Sequence, residues 1–203
     1  MAKAEKLDLR KQFKRDYTAT QEPGQVTIKA SPFLAVVGRG EPGGKEYTEK
    51  LNALYSVAYT VKMTLKKAGK DFVVLGLEGL WWADDPKKNL LQVPRQDWNW
   101  KSMIRQPDFV TRELVEESKK QVQNRKKIAA AADVQLEVFE EGRCVQILHI
   151  GPYATEGSSI EKMLAFMKAN GLEVRGLHHE IYMSDPRRTP ESKLKTIIRL
   201  PVR

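Results

Sequence analysis

Two segments of the chain are near copies of one another, 100 residues apart. The segment Leu77–Pro86 aligns with Leu177–Pro186, so that Trp82 matches Tyr182 and Asp85-Pro86 matches Asp185-Pro186. A strand that ends in an aromatic side chain followed by Asp-Pro therefore occurs twice. This repetition predicts two similar halves that pack together, and the seam between such halves is a favourable place for a ligand.

The hydrophobic pattern predicts a similar order of elements in the two halves, which we place at about residues 18–106 and 133–203. In the first half, apolar residues from Tyr47 to Leu65 recur at steps of three and four, as in an amphipathic helix. Strand-like segments flank this helix at residues 25–37, 72–82 and 97–105. In the second half we predict a hairpin over 134–150 that turns at 140–143, a helix that ends at Asn170-Gly171, and strands at 176–183 and 193–202.

A second helix is predicted over residues 107–127, within a linking segment that extends to about residue 131. Its acidic residues come early and its basic residues late, which complements the helix dipole. Each half is then strand, helix, strand, strand, a unit that packs as antiparallel sheet with helices on one face. We therefore predict an α+β fold over residues 1–203, one domain with approximate two-fold symmetry and a cleft between its halves. Apolar residues among the charges of residues 1–17 predict a short segment that docks on this domain.

Composition excludes several classes of protein. No apolar run approaches the ~18 residues that a membrane span needs, so we expect no membrane partner. The charged N-terminus lacks the apolar stretch of a signal peptide. The single Cys144 excludes an intrachain disulfide and lies in an apolar strand pattern, so we expect it to be buried and the protein to be cytoplasmic.

The formal net charge of +9 is concentrated at the two ends of the chain. Residues 1–17 carry six basic and three acidic side chains, and residues 186–203 carry six and one, which leaves +1 for the remainder. Basic ends can contact phosphate without reading a sequence. Solvated ends of an ordinary domain explain the same pattern, and no helix-turn-helix, zinc-finger or single-strand-binding pattern accompanies them. We therefore expect no specific nucleic-acid partner.

Strand alternation selects a candidate site. On the strand at 176–183, His178, Glu180 and Tyr182 share one face. We expect helices to cover the opposite face, so that these side chains point to the open side of the sheet. In the first half, the repeat predicts that the matching face carries Glu78, Leu80 and Trp82.

The candidates for the walls of this site are Trp98, Trp100 and Tyr55. A carboxylate among aromatic rings suits a flat, lipophilic and often cationic ligand, through the ring faces and through charge attraction at low dielectric. The sequence leaves a second interpretation open, in which the tryptophans pack in the core and Glu180 lies exposed at an edge.

Other patterns indicate less. The glycines of Gly38–Gly43 match a dinucleotide-binding fingerprint, but Pro42 and the lack of a following parallel-sheet pattern favour a turn. Of the three histidines, His178 and His179 face opposite ways and His149 stands alone, so we predict no metal site and no cofactor. No Gly-x-Ser-x-Gly nucleophile motif is present.

Several longer motifs resemble the GyrI-like small-molecule-binding family. The resemblance is closest to its stand-alone branch, which includes cyclopropanoid cyclopropyl hydrolases, and it extends from about Leu7 to Arg203. The residues that carry it are Leu54–Tyr59, Leu77–Trp82, Met103–Val110, His149–Tyr153 and His178–Arg188.

The resemblance implies a duplicated fold with a hydrophobic cleft and a buried glutamate on a late strand, here Glu180. Members of the hydrolase branch open a strained, electrophilic cyclopropane in DNA-alkylating natural products by adding water. Such chemistry needs a base for the water and a donor for the oxygen that gains charge. We assign the base to Glu180 and the donor, or the orientation of the water, to Tyr182. A planar substrate would then lie among Trp82, Trp98, Trp100, Tyr55, Glu78 and His178.

Three functions remain open at this stage. The first is a hydrolase that detoxifies lipophilic electrophiles, and the second is a protein that binds lipophilic, often cationic, drugs without turnover. The third is a protein-interaction module, since some GyrI-like relatives contact gyrase. In multidrug-sensing relatives the domain is fused to a DNA-binding module, and we find no pattern of such a module in this sequence.

Overall fold

A computed structural model describes residues 6–85 and 90–203, and it confirms the α+β class. The strands are β1 (Gly24–Ile28), β2 (Ser31–Arg39), β3 (Glu78–Trp82), β4 (Asn99–Arg105), β5 (Gln135–Phe139), β6 (Gly142–Ile150), β7 (His178–Tyr182) and β8 (Lys195–Pro201). The helices are α1 (Leu9–Gln12), α2 (Lys45–Lys67), α3 (Arg112–Lys126) and α4 (Gly157–Ala169). Pro86 of the repeat lies outside the described residues.

All eight strands form one antiparallel sheet in the order β1-β6-β8-β7-β3-β4-β2-β5. If the order is read from the other end, each strand of the first half is replaced by the corresponding strand of the second half. This is the predicted approximate two-fold symmetry. Each half is strand, strand, helix, strand, strand. The first half therefore has one strand more than predicted, whereas the second half has the four strands that the hairpin and the two later strands implied. The strands β3 and β7 pair at the seam.

The predicted hairpin over 134–150 is wrong. Only residues 140 and 141 separate β5 from β6, but β5 pairs with β2, whereas β6 pairs with β1 and β8. In the same way, only residues 29 and 30 separate β1 from β2, although they belong to opposite ends of the sheet. The sheet must curl for such short links to reach, and the first strand of each half then completes the other half.

Helices α2 and α4 cover the same face of the sheet. Helix α2 packs its buried residues on Leu34, Trp81 and Trp100, and α4 packs Met163 and Met167 on the face that carries Ile147 and Ile198. The register places Trp81 opposite Trp100, and Glu180 opposite both Gly79 and Ile198, on this helix-covered face. The two half-cores therefore meet at β3 and β7.

The N-terminal segment docks on the opposite face, as predicted for the part that the structure describes. Leu9 and Tyr17 are buried against Leu75, Ile181 and Ile197. A parallel bridge between Leu7 and Phe72 begins this contact. Among residues 6–85 and 90–203, no helix combines the length and apolar character needed to cross a membrane.

Helix α3 begins later than the pattern of residues 107–127 predicted. The side chain of Thr111 accepts a hydrogen bond from the amide of Leu114 and so caps the first turn at 3.3 Å. The helix ends at Lys127, which takes a left-handed conformation with φ of 58°. Residues 107–110 instead form a turn whose Val110 enters the core.

Candidate functional site

The candidate site is centred on the carboxylate of Glu180. As the alternation of β7 predicted, His178, Glu180 and Tyr182 lie on one face of the strand and touch one another. The Tyr182 hydroxyl donates to Glu180 Oε2 at 2.8 Å, and His178 Nε2 lies 3.1 Å from Glu180 Oε1. The Glu180 side chain is 12% exposed. The carboxylate is therefore held in a fixed orientation, largely out of water but still reachable, and it does not lie exposed at an edge.

A second carboxyl group, which the sequence analysis missed, lies beside the first. Glu156 directly precedes α4 and is only 5% exposed. Glu156, His178 and Glu180 each present one donor atom, and these atoms lie within 4.8 Å of one another. Burial, and then the charge of Glu180, raise the pKa of Glu156 to about 9, against a smaller opposing effect of Thr196. Burial and the neighbouring carboxylate therefore both favour the protonated form of Glu156.

The sequence contained little that would have revealed Glu156. An acidic residue at the start of a helix is ordinary, because it complements the helix dipole. Glu156 also lies outside both copies of the repeat. The packing of α4 on β6 brings Glu156, just before the helix, to Glu180 on β7 and Thr196 on β8.

Aromatic rings line the site on both sides. Tyr47 stacks on Trp81 with 5.9 Å between ring centroids and meets the edge of Trp100 at 4.9 Å. On the other side, Tyr153 packs edge-to-face on Tyr182 at 5.7 Å. Burial raises the pKa of both Tyr47 and Tyr153 to about 12, with the charge of Glu180 contributing in the same direction. Both phenols therefore keep their protons, and the sequence analysis had selected neither of these tyrosines.

The predicted wall residues take different positions. Trp98 and Trp100 are buried in the core around α2, and Trp100 is completely inaccessible, so these two rings support Tyr47 and Trp81 from behind. The interpretation of the tryptophans as core packing is thus confirmed for this pair. Tyr55 is half-buried on α2, where burial raises its pKa and Arg187 is near enough to oppose that effect.

Gly79 forms the floor of the site. Gly79 lies directly opposite Glu180 in the strand register, on the face of the sheet that carries the side chains of the candidate site. A methyl group there would come within 3.0 Å of Trp81 Nε1 and 3.3 Å of the Tyr182 hydroxyl. The missing side chain therefore lets the indole and the phenol approach the backbone beside Glu180.

The predicted grouping of Glu78 and Trp82 with Glu180 is wrong. The prediction that Glu180 points to the face of the sheet without helices is also wrong. Gly79 pairs with Glu180, so the structural register of the halves differs by one residue from the repeat offset of 100. A shift of one residue moves every side chain of a strand to the other face. Glu78, Leu80 and Trp82 therefore face away from Glu180, which itself lies on the helix-covered face.

Glu78 instead belongs to a buried ionic network on the opposite face. His179 lies between two carboxylates, with Nε2 3.2 Å from Glu78 Oε2 and Nδ1 2.9 Å from Glu141 Oε1. Arg199 also pairs with Glu141, at 2.9 Å, and Tyr17 donates to Glu78 at 2.8 Å. Although burial opposes its charge, the carboxylates of Glu141 and Glu78 raise the pKa of His179 to about 9. This network fastens the N-terminal segment to the sheet.

The group of Glu156, His178 and Glu180 also has the donor types that a divalent cation needs. The sequence analysis had predicted no metal site, because the three histidines do not converge. His178 and His179 do face opposite ways, as predicted, so only His178 takes part in this group.

A model of the GyrI-like small-molecule-binding domain matches residues 21–203. This chain belongs to the GyrI-like family. The match includes both halves of the sheet, Glu156 and the whole of β7. A comparison with curated proteins gives no match.

Solved structures extend the comparison of this GyrI-like protein. A conserved protein from Listeria innocua is 40% identical, with a TM-score of 0.91 over 98% of this chain and 100% of its own. A hydrolase from Listeria innocua is 39% identical, with a TM-score of 0.87 and the same coverage. The C-terminal domain of EcmrR, at 12% identity, shares the fold, with a TM-score of 0.59 over 90% of this chain and 97% of that domain.

Proposed function

We propose that this GyrI-like protein hydrolyses lipophilic electrophiles, such as strained cyclopropanes conjugated to a carbonyl, with Glu180 as the base. The observation that carries the proposal is the Glu180 carboxylate, which Tyr182 and His178 orient in a largely dry, aromatic setting. The similarity to a Listeria innocua hydrolase supports it. The protein would thereby remove reactive compounds from the cell.

Each group around Glu180 has a physical role in this proposal. A carboxylate that Tyr182 and His178 hold in a fixed orientation can accept the proton of an attacking water. The Tyr182 hydroxyl already donates to Glu180 Oε2, so Tyr182 fixes the direction of the carboxylate rather than supplying a proton to the substrate. Burial raises the pKa of Tyr182 well above its usual value, which keeps this donor protonated.

The aromatic surroundings define the substrate class. Tyr47, Trp81 and Tyr153 offer ring faces and edges on two sides of the carboxylate, and such rings favour flat apolar ligands. Ring strain in the substrate contributes part of the driving force, so one oriented base can have a large effect.

A second candidate function is binding without turnover. Among the described residues, no lysine or arginine forms an ion pair with Glu180 or Glu156. A buried carboxylate without a cationic side chain suits a lipophilic cation, held by charge and by ring faces. In this case the protein would sequester such compounds stoichiometrically.

A turnover experiment separates the two functions. With the protein at about one hundredth of the concentration of a cyclopropane-containing electrophile, an enzyme clears all of the compound, whereas a binder removes at most one equivalent. We expect complete hydrolysis by the natural protein. In Glu180→Gln we expect the rate to fall by about 10²- to 10⁴-fold, because general base catalysis is typically of this size.

The matched control is Glu161→Gln, an exposed glutamate on α4. It should hydrolyse the compound at the natural rate. If Glu180→Gln retains full activity, or if the natural protein removes only one equivalent, the hydrolase proposal is wrong.

A further inference from the structure

The hydrolysis just proposed needs an acid as well as a base. When water attacks a cyclopropane conjugated to a carbonyl, negative charge develops on the carbonyl oxygen. A proton donor at that oxygen lowers the barrier. The hydroxyl of Tyr182 is engaged with Glu180 Oε2, so it does not fill this role.

Glu156 is placed to supply the missing proton. Its carboxyl is buried and shares the site with Glu180 and His178, with donor atoms within 4.8 Å of one another. The Thr196 hydroxyl lies beside the Glu156 carboxyl, close enough to hydrogen-bond to it. A buried carboxyl that shares the site with Glu180 is in position to act on a ligand bound there.

The charges around the start of α4 favour a neutral Glu156. No lysine or arginine among the described residues forms an ion pair with Glu156. The charged group that affects the pKa of Glu156 is Glu180, which raises it. Two carboxylates this close and this buried cannot both ionise at low cost, so one keeps its proton. Glu180 accepts a hydrogen bond from Tyr182 and lies 3.1 Å from His178 Nε2, and Glu156 is the more buried of the two carboxyl groups, which favours the proton on Glu156. The titratable and polar groups around Glu156 are His178, Glu180 and Tyr182 on β7, Thr196 on β8, and Tyr153.

We propose that Glu156 is the acid of this site, a second catalytic residue that acts with Glu180. This inference rests on the proposed hydrolysis. The water oxygen bonds to a ring carbon while the strained carbon–carbon bond breaks. The electron pair of that bond moves through the conjugated system to the carbonyl oxygen, which takes the proton of Glu156. The water gives a proton to Glu180, and transfer of that proton to Glu156 restores the site, so the net reaction adds one water.

The proton on Glu156 can be observed without any substrate. In the natural protein labelled with ¹³C-glutamate, the side-chain carboxyl signals are followed by NMR as the pH rises, and Glu156→Gln assigns the signal of Glu156. We expect Glu156 to stay protonated at pH 7 and to ionise near pH 9. In Glu180→Gln, which removes the neighbouring charge, it should ionise at lower pH. A Glu156 that is ionised at pH 7 overturns the inference, whatever the activity of the protein.

Kinetics test the catalytic role. Glu156→Gln should bind an unreactive analogue within about threefold of the natural affinity but should lose about 10²- to 10⁴-fold in single-turnover rate. Glu161→Gln on the same helix should behave as the natural protein. The natural rate should fall as the pH rises through the ionisation of Glu156, and this alkaline decrease should be absent in Glu156→Gln.

The outcomes distinguish the two proposals. Loss of activity in Glu180→Gln with full activity in Glu156→Gln would leave the hydrolase proposal intact and overturn the acid role of Glu156. Activity that disappears with a chelator and returns with a divalent cation would also overturn it, because the three donors would then hold a metal rather than a proton. Full activity in both variants would contradict both proposals.

Discussion

At the scale of single residues, the neighbouring histidines of β7 have opposite surroundings. His178 points to the site and is 16% exposed at its side chain, whereas His179 points to the other face and is buried between Glu78 and Glu141. The alternation that predicted the face of Glu180 therefore also separates a histidine of the candidate site from a histidine of the buried ionic network. Strand alternation in the sequence is enough to predict that His178 and His179 face opposite sides of the sheet. The sequence does not show that His179 has two acidic partners, because Glu78 and Glu141 come from distant segments.

We expect His179→Gln to lower the free energy of unfolding by about 3–5 kcal/mol, because it removes the positive charge between two buried carboxylates. The matched control is His178→Gln, which should lower this free energy by less than His179→Gln does, because His178 lies beside one carboxylate rather than between two. Urea unfolding at pH 7 measures both. Equal losses in the two variants would show that the network around His179 contributes nothing special to stability.

The contribution of His179 should also depend on pH. Its pKa is raised from 6.5 to about 9 in the folded protein, so its stabilisation is complete below pH 6.5 and is lost as the pH rises through 9. The difference in unfolding free energy between the natural protein and His179→Gln should therefore narrow between pH 7 and pH 10. Urea titrations across this range measure it. A difference that stays constant would mean that His179 is not charged in the folded state.

At the scale of elements, the sequence predicted which strands exist better than which strands pair. The long helix α2 and the strands around it follow from periodicity within about 20 residues, which is local information. The exchange of β1 and β5 between the halves depends on contacts between segments more than 100 residues apart, such as Thr27 with Arg143. A tight link between two strands favours a hairpin on local grounds. The curled sheet overrides that preference here.

The packing of β2 against β4 at Gly38 gives an element-scale prediction. A methyl group on Gly38 would lie 2.2 Å from Cζ2 of Trp100, the completely buried ring that supports Tyr47. We expect Gly38→Ala to lower the free energy of unfolding by about 1–3 kcal/mol through overpacking, and to weaken binding of aromatic ligands as Trp100 shifts. Gly24→Ala is the control, since nothing lies within 4 Å of its added methyl. Urea unfolding and tryptophan fluorescence measure both, and unchanged values in Gly38→Ala would contradict the role of Trp100 as a support.

At the scale of the whole molecule, the sheet separates the candidate site from the structure that fastens the chain. The site lies on the helix-covered face at the seam of the two halves, as the internal repeat had suggested for a ligand. The opposite face carries the N-terminal segment and the network around His179. Sequence alone predicted the seam between the halves, the burial of Glu180 and the docked N-terminal segment. It assigned the wrong face to Glu78 because a repeat offset does not determine strand register.

This separation predicts that stability can be lowered without loss of ligand binding. Asp16 pairs with Arg105 at 2.7 Å, and the Arg105 side chain is only 3% exposed. Asp16→Asn leaves a buried guanidinium without its carboxylate and should cost about 3–5 kcal/mol of unfolding free energy. Asp108→Asn, at an exposed position, should cost less than about 0.5 kcal/mol.

Below the melting temperature of the weaker variant, both proteins should bind a lipophilic aromatic ligand with the natural affinity, measured by calorimetry. The reason is that Asp16 lies across the sheet from Glu180, with β3 and β7 between them. If Asp16→Asn weakens ligand binding by tenfold or more while the protein is still folded, the two faces of the sheet are coupled. The N-terminal segment would then set the position of β7, and with it the orientation of the Glu180 carboxylate.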